Sequence, residues 1–478
     1  MFNVNDILNS VEGAELLSGC CDSADLDILS VTTDSRSVLP QSLFIALKGD
    51  RFDGHNFLNN VVESGASVVC IDANFAEGGQ IPSGVTVITV PDTLLAYQQL
   101  AHFYRRKLSD LVVIGITGSC GKTSVKEILK TVLVSLYGES AVFATDANNN
   151  NHIGVPLSLL SVKASHRYAI IEMGTNHPGE IETVAKIAEP DIAVITTVAR
   201  AHLEFLGDLN GVAEEKAAIL KLYNSCGESP VAILPETSPC NDLLRRSAGG
   251  EVYTFGSEST ADLQVSYLGG NAGGSRIALS SGKRLRGVFS EDLHVDWSLT
   301  GRHQALNAGA ALLTACLTVD HISSENFVKL ADALSNCSLT GMRMKYSEVG
   351  GLKWINDAYN ANPDSMKGAL EWLAEFADFP ESHIVLGDML EMGGDGPEFH
   401  KEILEIAGRL LPKANIYAVG PIMCSVAKFA DIRAFPDAES VSVKLAEIVN
   451  VGDLLFLKGS RGIALERVFA NLQDTKKS

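Results

Sequence analysis

One stretch limits what this chain can fold into: Gly115 to Lys126, GITGSCGKTSVK. A run of branched apolar residues, Leu111 to Ile114 with Ile116, leads into it. Val125, Ile128, Leu129, Val132 and Leu133 follow at helical spacing. Strand, glycine turn, Lys-Thr and helix are the parts of a phosphate-binding loop. Gly118 and Gly121 let the backbone curl so that successive N–H groups face one anion, and the helix N-terminus adds partial positive charge. Lys122 is expected to reach the outer phosphates and the Thr123 hydroxyl to hold magnesium. The stretch departs from the strict eight-residue form, because Ile116 stands where the first glycine is usual and Gly115 precedes it. The bland alternative is a glycine-rich turn between a strand and a helix that binds nothing.

The rest of the chain has to accommodate that loop. Its 478 residues suit about three domains, and a composition 46% hydrophobic and 20% charged supplies ordinary buried cores. No apolar run is long enough to span a bilayer, so no membrane insertion is expected. The N-terminal MFNVNDILNSVEG lacks the basic-then-apolar order of a secretory signal. Nine scattered cysteines without a CxxC pair suggest reduced thiols in a cytoplasm. The formal charge of −20 argues against nucleic acid as a partner, since that partner needs a basic face. It does not exclude anionic substrates, which a local nest and metal ions can attract.

In chain order, residues 1–86 suggest a small α/β domain. Leu43 to Leu47 and Ala66 to Ile71 are strand-like, and His55 to Ser64 is a helix. Between Thr32 and His55 lies a stretch dense in Asp, Ser, Arg and Gly, equally readable as a surface hairpin. Residues 87–318 suggest a nucleotide domain with a parallel sheet. After a helix at Asp92 to Lys107 and the phosphate loop comes TDANNNNHIGVP, a loop rich in side-chain amides. Tyr168 to Glu172 is an apolar strand ending in a carboxylate, placed where such sheets bind ligands, so Glu172 is a candidate metal ligand. His202 falls just past another apolar strand, Asp191 to Val198, and is either a ligand or structural. Lys216 lies in a helix from Asn210 to Leu222, ordinarily a solvated position, and a free ammonium cannot ligate a metal. Short alternating, glycine-rich stretches across 251–290 suggest a β excursion. A helix from Gly301 then displays His303 and Asn307. Residues 319–478 alternate strand and helix, which implies a second, mostly parallel sheet with helices on both faces. Polar clusters follow its strands: Asp357 to Pro363, Gly387-Asp388-Met389, and Lys458 to Arg461.

Taken together these clusters resemble the Mur ligases, ATP-dependent enzymes that extend the peptidoglycan stem peptide. The resemblance covers nearly the whole chain. It rests on Asp34-Ser35-Arg36 with Asp53-Gly54-His55, Thr117 to Thr123, Asn148 to Pro156, Glu172-Met173-Gly174, Ala201-His202-Leu203, His303 with Asn307, Arg343, Asp357 to Pro363, Leu386 to Met389, and Lys458 to Arg461. Tyr-Asn-Ala-Asn-Pro and Leu-Gly-Asp-Met are similar to the member that adds D-alanyl-D-alanine to UDP-N-acetylmuramoyl-tripeptide. The sister enzyme that adds the diamino acid usually carries Asp-Asn-Pro-Arg, which is absent here. That sister and folylpolyglutamate synthase, which shares the architecture, are the alternatives. Gln304 departs from the asparagine common after that histidine.

The resemblance implies an α/β protein of three domains: an N-terminal domain for the UDP-substrate, a central ATP-binding phosphate-loop domain, and a C-terminal Rossmann-like domain. It implies ATP contacts at Thr117, Gly118, Ser119, Cys120, Gly121, Lys122, Thr123 and Ser124. Asn307 matches the adenine contact, while Arg343 and Asp357 match residues that complete the nucleotide site on closure. Substrate contacts are expected at Ser35, Arg36, Asn148, Asn150, Asn151, Asn360 and Asn362. Thr123, Glu172, His202 and Lys216, the last as a carbamate, match the magnesium positions, with two ions expected. Lys122, Glu172, His202 and Lys216 are thus the expected catalytic set. A cytoplasmic monomer is expected.

Overall fold

The computed structural model describes residues 1–19, 26–49, 52–224, 226–271, 273–285, 292–319, 324–339, 345–375, 381–428 and 432–475. Three α/β units follow one another, each around its own main sheet. The first sheet runs in the order Glu15–Ser18, Thr86–Val90, Ala66–Asp72, Ser42–Ile45, Ser30–Thr32. Its pairs are parallel except at the edge strand Glu15–Ser18. Thr86–Val90 is buried at every position, as a strand covered on both faces must be. The first unit therefore extends past the border expected at residue 86.

Helix Thr93–Lys107 joins this unit to the next. The Asp92 carboxylate accepts from the Leu94 and Leu95 N–H groups and starts it. Arg105, buried, donates to the carbonyls of Ala188 and Glu189 and to the Asp191 carboxylate, which bolts the helix to the central unit.

The central sheet has nine strands in the order Leu293–Trp297, Gly274–Ser281, Leu263–Asn271, Val252–Gly256, Val231–Pro235, Ile192–Ile195, Val112–Thr117, Tyr168–Glu172, Val142–Ala144. The expected β excursion is its antiparallel extension, Leu263–Asn271 with Gly274–Ser281 and Leu293–Trp297. Val112–Thr117 lies where the order reverses. The chain leaves it for Val142–Ala144 on one side, returns through Tyr168–Glu172, and then crosses to Ile192–Ile195. Such a reversal opens a crevice at the carboxyl ends of the strands, where ligands bind. Helix Lys122–Tyr137 buries Val125, Ile128, Leu129, Val132 and Leu133 in one stripe. Each contributes about 1.5–3 kcal/mol by burial. It packs against Arg302–Cys316 and Ser324–Ser335, so the latter stays with the central unit beyond the border expected at residue 318.

The third sheet runs Lys345–Val349, Leu352–Asp357, Leu454–Lys458, Ser382–Gly387, Asn415–Val419, Arg433–Phe435, all parallel save the first pair. Alternate residues enter cores on opposite faces: Leu454 and Phe456 join one, Leu455 and Leu457 the other. Helices cover both, the Rossmann-like build expected. Among the described residues no helix is long and apolar enough to cross a membrane.

Candidate active site

The phosphate loop is tied to the neighbouring strand. Ser119 N donates to the Thr197 carbonyl at 2.9 Å, and the Ser119 hydroxyl bonds both the N–H and the carbonyl of Ala199 at 3.0 Å. Thr196 donates to the Cys120 carbonyl. The two glycines are needed sterically. Gly118 (φ +149°) and Gly121 (φ +86°) lie at positive φ, and an added Cβ would strike the Thr196 hydroxyl and the Asn307 side chain respectively. Helix Lys122–Tyr137 begins on Gly121 with no side-chain cap. Its first N–H groups therefore suit an anion. Lys122 Nζ donates to the Gly118 carbonyl at 2.7 Å, folded across the loop that would hold a phosphate.

Glu172 is buried at the end of its strand, and its carboxylate is fixed from several sides. Oε2 accepts from the Thr123 hydroxyl at 2.8 Å, and Oε1 accepts from Asn150 Nδ2 at 2.9 Å. The Thr145 hydroxyl accepts from Glu172 N. Lys126 Nζ lies 3.9 Å from Oε2 and 3.1 Å from Glu127, and donates to the carbonyls of Thr145 at 2.7 Å and Ala147 at 3.3 Å. Only 1% exposed, Lys126 is a structural cation between the phosphate helix and the asparagine loop. Lys126→Met is expected to cost about 3 kcal/mol, the scale for removing one partner of a buried ion pair. Calorimetry would read this as a lower midpoint for the transition that includes the central unit.

Thr123 with Glu172 is a pair of hard oxygen donors, the chemistry magnesium prefers. Among the described residues no three His, Cys, Asp or Glu side chains converge. His202 presents Nδ1 to Glu391 of the C-terminal unit at 2.5 Å, and that hydrogen bond holds the Glu391 carboxyl below its usual range. Lys216 is not on a solvated face: helix Leu209–Ala217 buries it to 1% exposure. Burial and the Lys122 charge push its pKa down to about 7. Its neighbour Glu215 locks the helix by accepting from the Gly179 and Ile181 N–H groups and the Thr175 hydroxyl. Among the described residues no carboxylate lies within ion-pair distance of Lys216.

Across the crevice stands the C-terminal unit. Together the units enclose a cavity of about 370 Å³, lined by residues 119–124 of the loop and by His303, Asn307, Asp357, Asn360, Asn362 and Lys458. Asp357 accepts from Lys458 Nζ at 2.5 Å, and Lys458 also donates to the Asn360 carbonyl. Asn362 starts helix Pro363–Ala374 by a capping box with Ser365, while its Nδ2 reaches Cys120 Sγ of the phosphate loop at 3.1 Å. Burial pushes the His303 imidazole down to about 4, so it is neutral at pH 7. Gln304 accepts from Asn307 Nδ2 at 3.0 Å and orients that amide, which gives the unusual residue a local task. Arg200 seals the seam, pairing with Asp364 and Glu402 and lying over the Phe399 ring.

Other polar residues of the strand ends and loops are engaged locally. Asp388 does not face the cavity: its buried carboxylate accepts from Ile422 N and Met423 N and anchors helix Pro421–Ala427. Asn151 spends its side-chain oxygen on the N–H groups of Ile153 and Gly154, and Asn150 turns to Glu172. Asn148 is exposed. Arg343 lies outside the described residues. In the N-terminal unit, Arg36 grips Asp34 with two bonds of 2.9 and 2.7 Å and holds that carboxyl down at about 2. Ser35 is part of the same turn, and the adjacent strand Ser30–Thr32 packs against the helix Gly154–Leu160 that follows the asparagine loop. His55 is a structural tie, donating to Asp53 and accepting from Asp72 N. Sequence spacing missed Lys126, Arg200, Glu215 and Glu391, whose partners are remote in the chain.

Comparison with known proteins agrees with this layout. Family models described as Mur ligase family catalytic domain, Mur ligase middle domain, and Mur ligase glutamate ligase domain match residues 27–105, 116–315 and 342–461. The chain is 33% identical over 459 residues to the UDP-N-acetylmuramoyl-tripeptide–D-alanyl-D-alanine ligase of Bacillus subtilis, covering 94% of each. A MurF crystal structure from Acinetobacter baumannii superposes with a TM-score of 0.85 at 28% identity, covering 99% of both chains. MurF from Thermotoga maritima in complex with ADP gives 0.76 at 27% identity, covering 94% of this chain and 98% of that one.

Proposed function

The chain belongs to the Mur ligase family, and from that premise we propose that it joins D-alanyl-D-alanine to UDP-N-acetylmuramoyl-tripeptide with hydrolysis of ATP to ADP and phosphate, a step of peptidoglycan precursor synthesis. The observation that carries the reading is the shared cavity. In it the phosphate loop of the central unit faces Asp357, Asn360, Asn362 and Lys458 of the C-terminal unit.

A carboxylate is a poor acylating agent because its oxygen leaves badly. Transfer of the γ-phosphoryl group to the peptide carboxylate makes an acyl phosphate. The dipeptide amine then attacks the carbonyl, a tetrahedral intermediate forms, and phosphate departs with the oxygen. Lys122 and the loop N–H groups hold the phosphates and offset the charge that spreads over the transferring oxygens. Magnesium, held at Thr123 and Glu172 with His202 and a carbamylated Lys216, would neutralise further charge on those oxygens. The carbamate forms when the neutral Lys216 amine adds to carbon dioxide and releases a proton, turning a cation into an anion beside the site. Asn307, oriented by Gln304, contacts the adenine ring. Ser35 and Arg36 hold the uridine nucleotide in the N-terminal unit, with the asparagine loop between it and the reacting end. Arg200 and Asn362 keep the units together, which excludes water that would hydrolyse the acyl phosphate. ATP and a UDP-linked substrate are soluble cytoplasmic metabolites, which supports the cytoplasm as the site of action.

The test supplies ATP, UDP-N-acetylmuramoyl-tripeptide and D-alanyl-D-alanine and measures phosphate. Release that requires both acceptors, with formation of the pentapeptide product, is the expected result. Release with a free diamino acid in place of the dipeptide would overturn the assignment.

A further inference from the structure

Two non-glycine residues in the left-handed region meet across the seam between the central and C-terminal units: His202 at φ +55° and Glu391 at φ +65°. Non-glycine residues persist there when surrounding contacts over-determine them, and they concentrate where geometry is used. The loop that carries Glu391 is held in this way. Leu390 N donates to Ser460 Oγ at 2.9 Å, Met389 N donates to His400 Nε2 at 2.8 Å, and the Glu391 carbonyl accepts from Glu204 N at 3.1 Å. Asp388 anchors its start to the next helix. The Leu-Gly-Asp-Met signature thus builds a rigid arm rather than a ligand contact. The arm delivers Glu391 Oε2 to His202 Nδ1 at 2.5 Å.

We propose that Glu391 is a positioning residue for His202, supplied by the C-terminal unit. Its carboxylate accepts the Nδ1 proton, fixes the ring, and leaves the Nε2 lone pair to the magnesium ion. This rests on the reading of His202 as a magnesium ligand. A neutral imidazole has one donor and one acceptor nitrogen, so a proton committed to Glu391 makes Nε2 the acceptor. Metal-ligating histidines are ordinarily oriented by a carboxylate or carbonyl on the other nitrogen. No described residue hydrogen-bonds to His202 Nε2. The partner in this chain comes from a different domain, 189 positions away. The metal site is therefore complete only when the C-terminal unit is docked, and metal affinity becomes coupled to domain closure.

The experiment uses the full chain with a non-hydrolysable ATP analogue and Mn²⁺ read by electron paramagnetic resonance. Glu391→Ala is expected to weaken Mn²⁺ binding by about 10–100-fold, the range for losing such a partner. Affinity for ADP measured without metal stays unchanged. Glu391→Gln, which keeps the shape and an oxygen acceptor, falls between, and decides the matter if the alanine variant fails to fold. In a His202→Asn background, Glu391→Ala adds no further loss. Wild-type Mn²⁺ affinity in both Glu391 variants overturns the inference, and so does a full additional loss in the His202→Asn background. If His202→Asn itself binds Mn²⁺ like the wild type, the ligand reading of His202 fails instead.

Discussion

Replacing Lys216 by alanine is expected to lower kcat by about 10²–10³-fold or more, the scale on which a single preorganised electrostatic group acts. Added bicarbonate will not restore the variant, whereas a short carboxylate such as acetate will restore part of it by occupying the place of the carbamate. Carbon dioxide adds only to a neutral amine. With its pKa pushed to about 7 by burial and by Lys122, about half of Lys216 is neutral at pH 7. For an ordinary lysine the fraction is about one in three thousand. That difference suits Lys216 to carbamate formation. The sign of the pH dependence follows. The neutral fraction falls as pH drops below 7, so at equal dissolved carbon dioxide, enzyme stripped of it should recover faster at pH 8 than at pH 6. Steady-state phosphate release measures all of these, and full activity in Lys216→Ala would rule out the carbamate.

Lys122→Ala is the second large effect. Lys122 folds over the loop to the Gly118 carbonyl, and a bound phosphate would take that carbonyl's place as acceptor. Losing the cation is expected to lower kcat by about 10²–10⁴-fold, because the charge it offsets grows during phosphoryl transfer. The fold should survive, since the contacts of Ser119 and Thr196 to the neighbouring strand hold the loop without the Lys122 bond to Gly118. Near-native thermal unfolding together with the lost turnover is the expected pairing. Undiminished turnover would undo the phosphate-loop reading itself.

Much of the architecture was legible because local rules suffice for it. Tyr168–Glu172 and Leu352–Asp357 stand as strands at the residues their apolar runs mark. Helix Pro363–Ala374 begins at an asparagine followed by proline, a start signal readable from neighbours alone. The candidate site was legible only in part. Glu172 and Thr123 were found because strand ends and loop ends have fixed places in such a sheet. Asn151 and Asp388 show the limit: a polar side chain after a strand can serve a ligand or a nearby backbone, and composition does not distinguish the two. Lys216, 1% exposed, reads as an ordinary helix lysine, and Lys126, equally buried, has no local signal of its role. Their burial is imposed by segments far away in the chain.

By itself the sequence determined that there is a phosphate loop, that parallel sheets carry it, and which strand ends bear polar groups. Those features depend on a residue and its near neighbours: glycines that can adopt positive φ, apolar runs that fill a sheet, and a helix that starts on the loop. Only the tertiary structure decided what the charged groups are for. The ionisation of Lys216 depends on the dielectric and the charges around it, and the partner of His202 depends on which arm the other domain brings across the seam. Solvation and pairing are properties of surroundings assembled from remote segments, so no local pattern of residues encodes them.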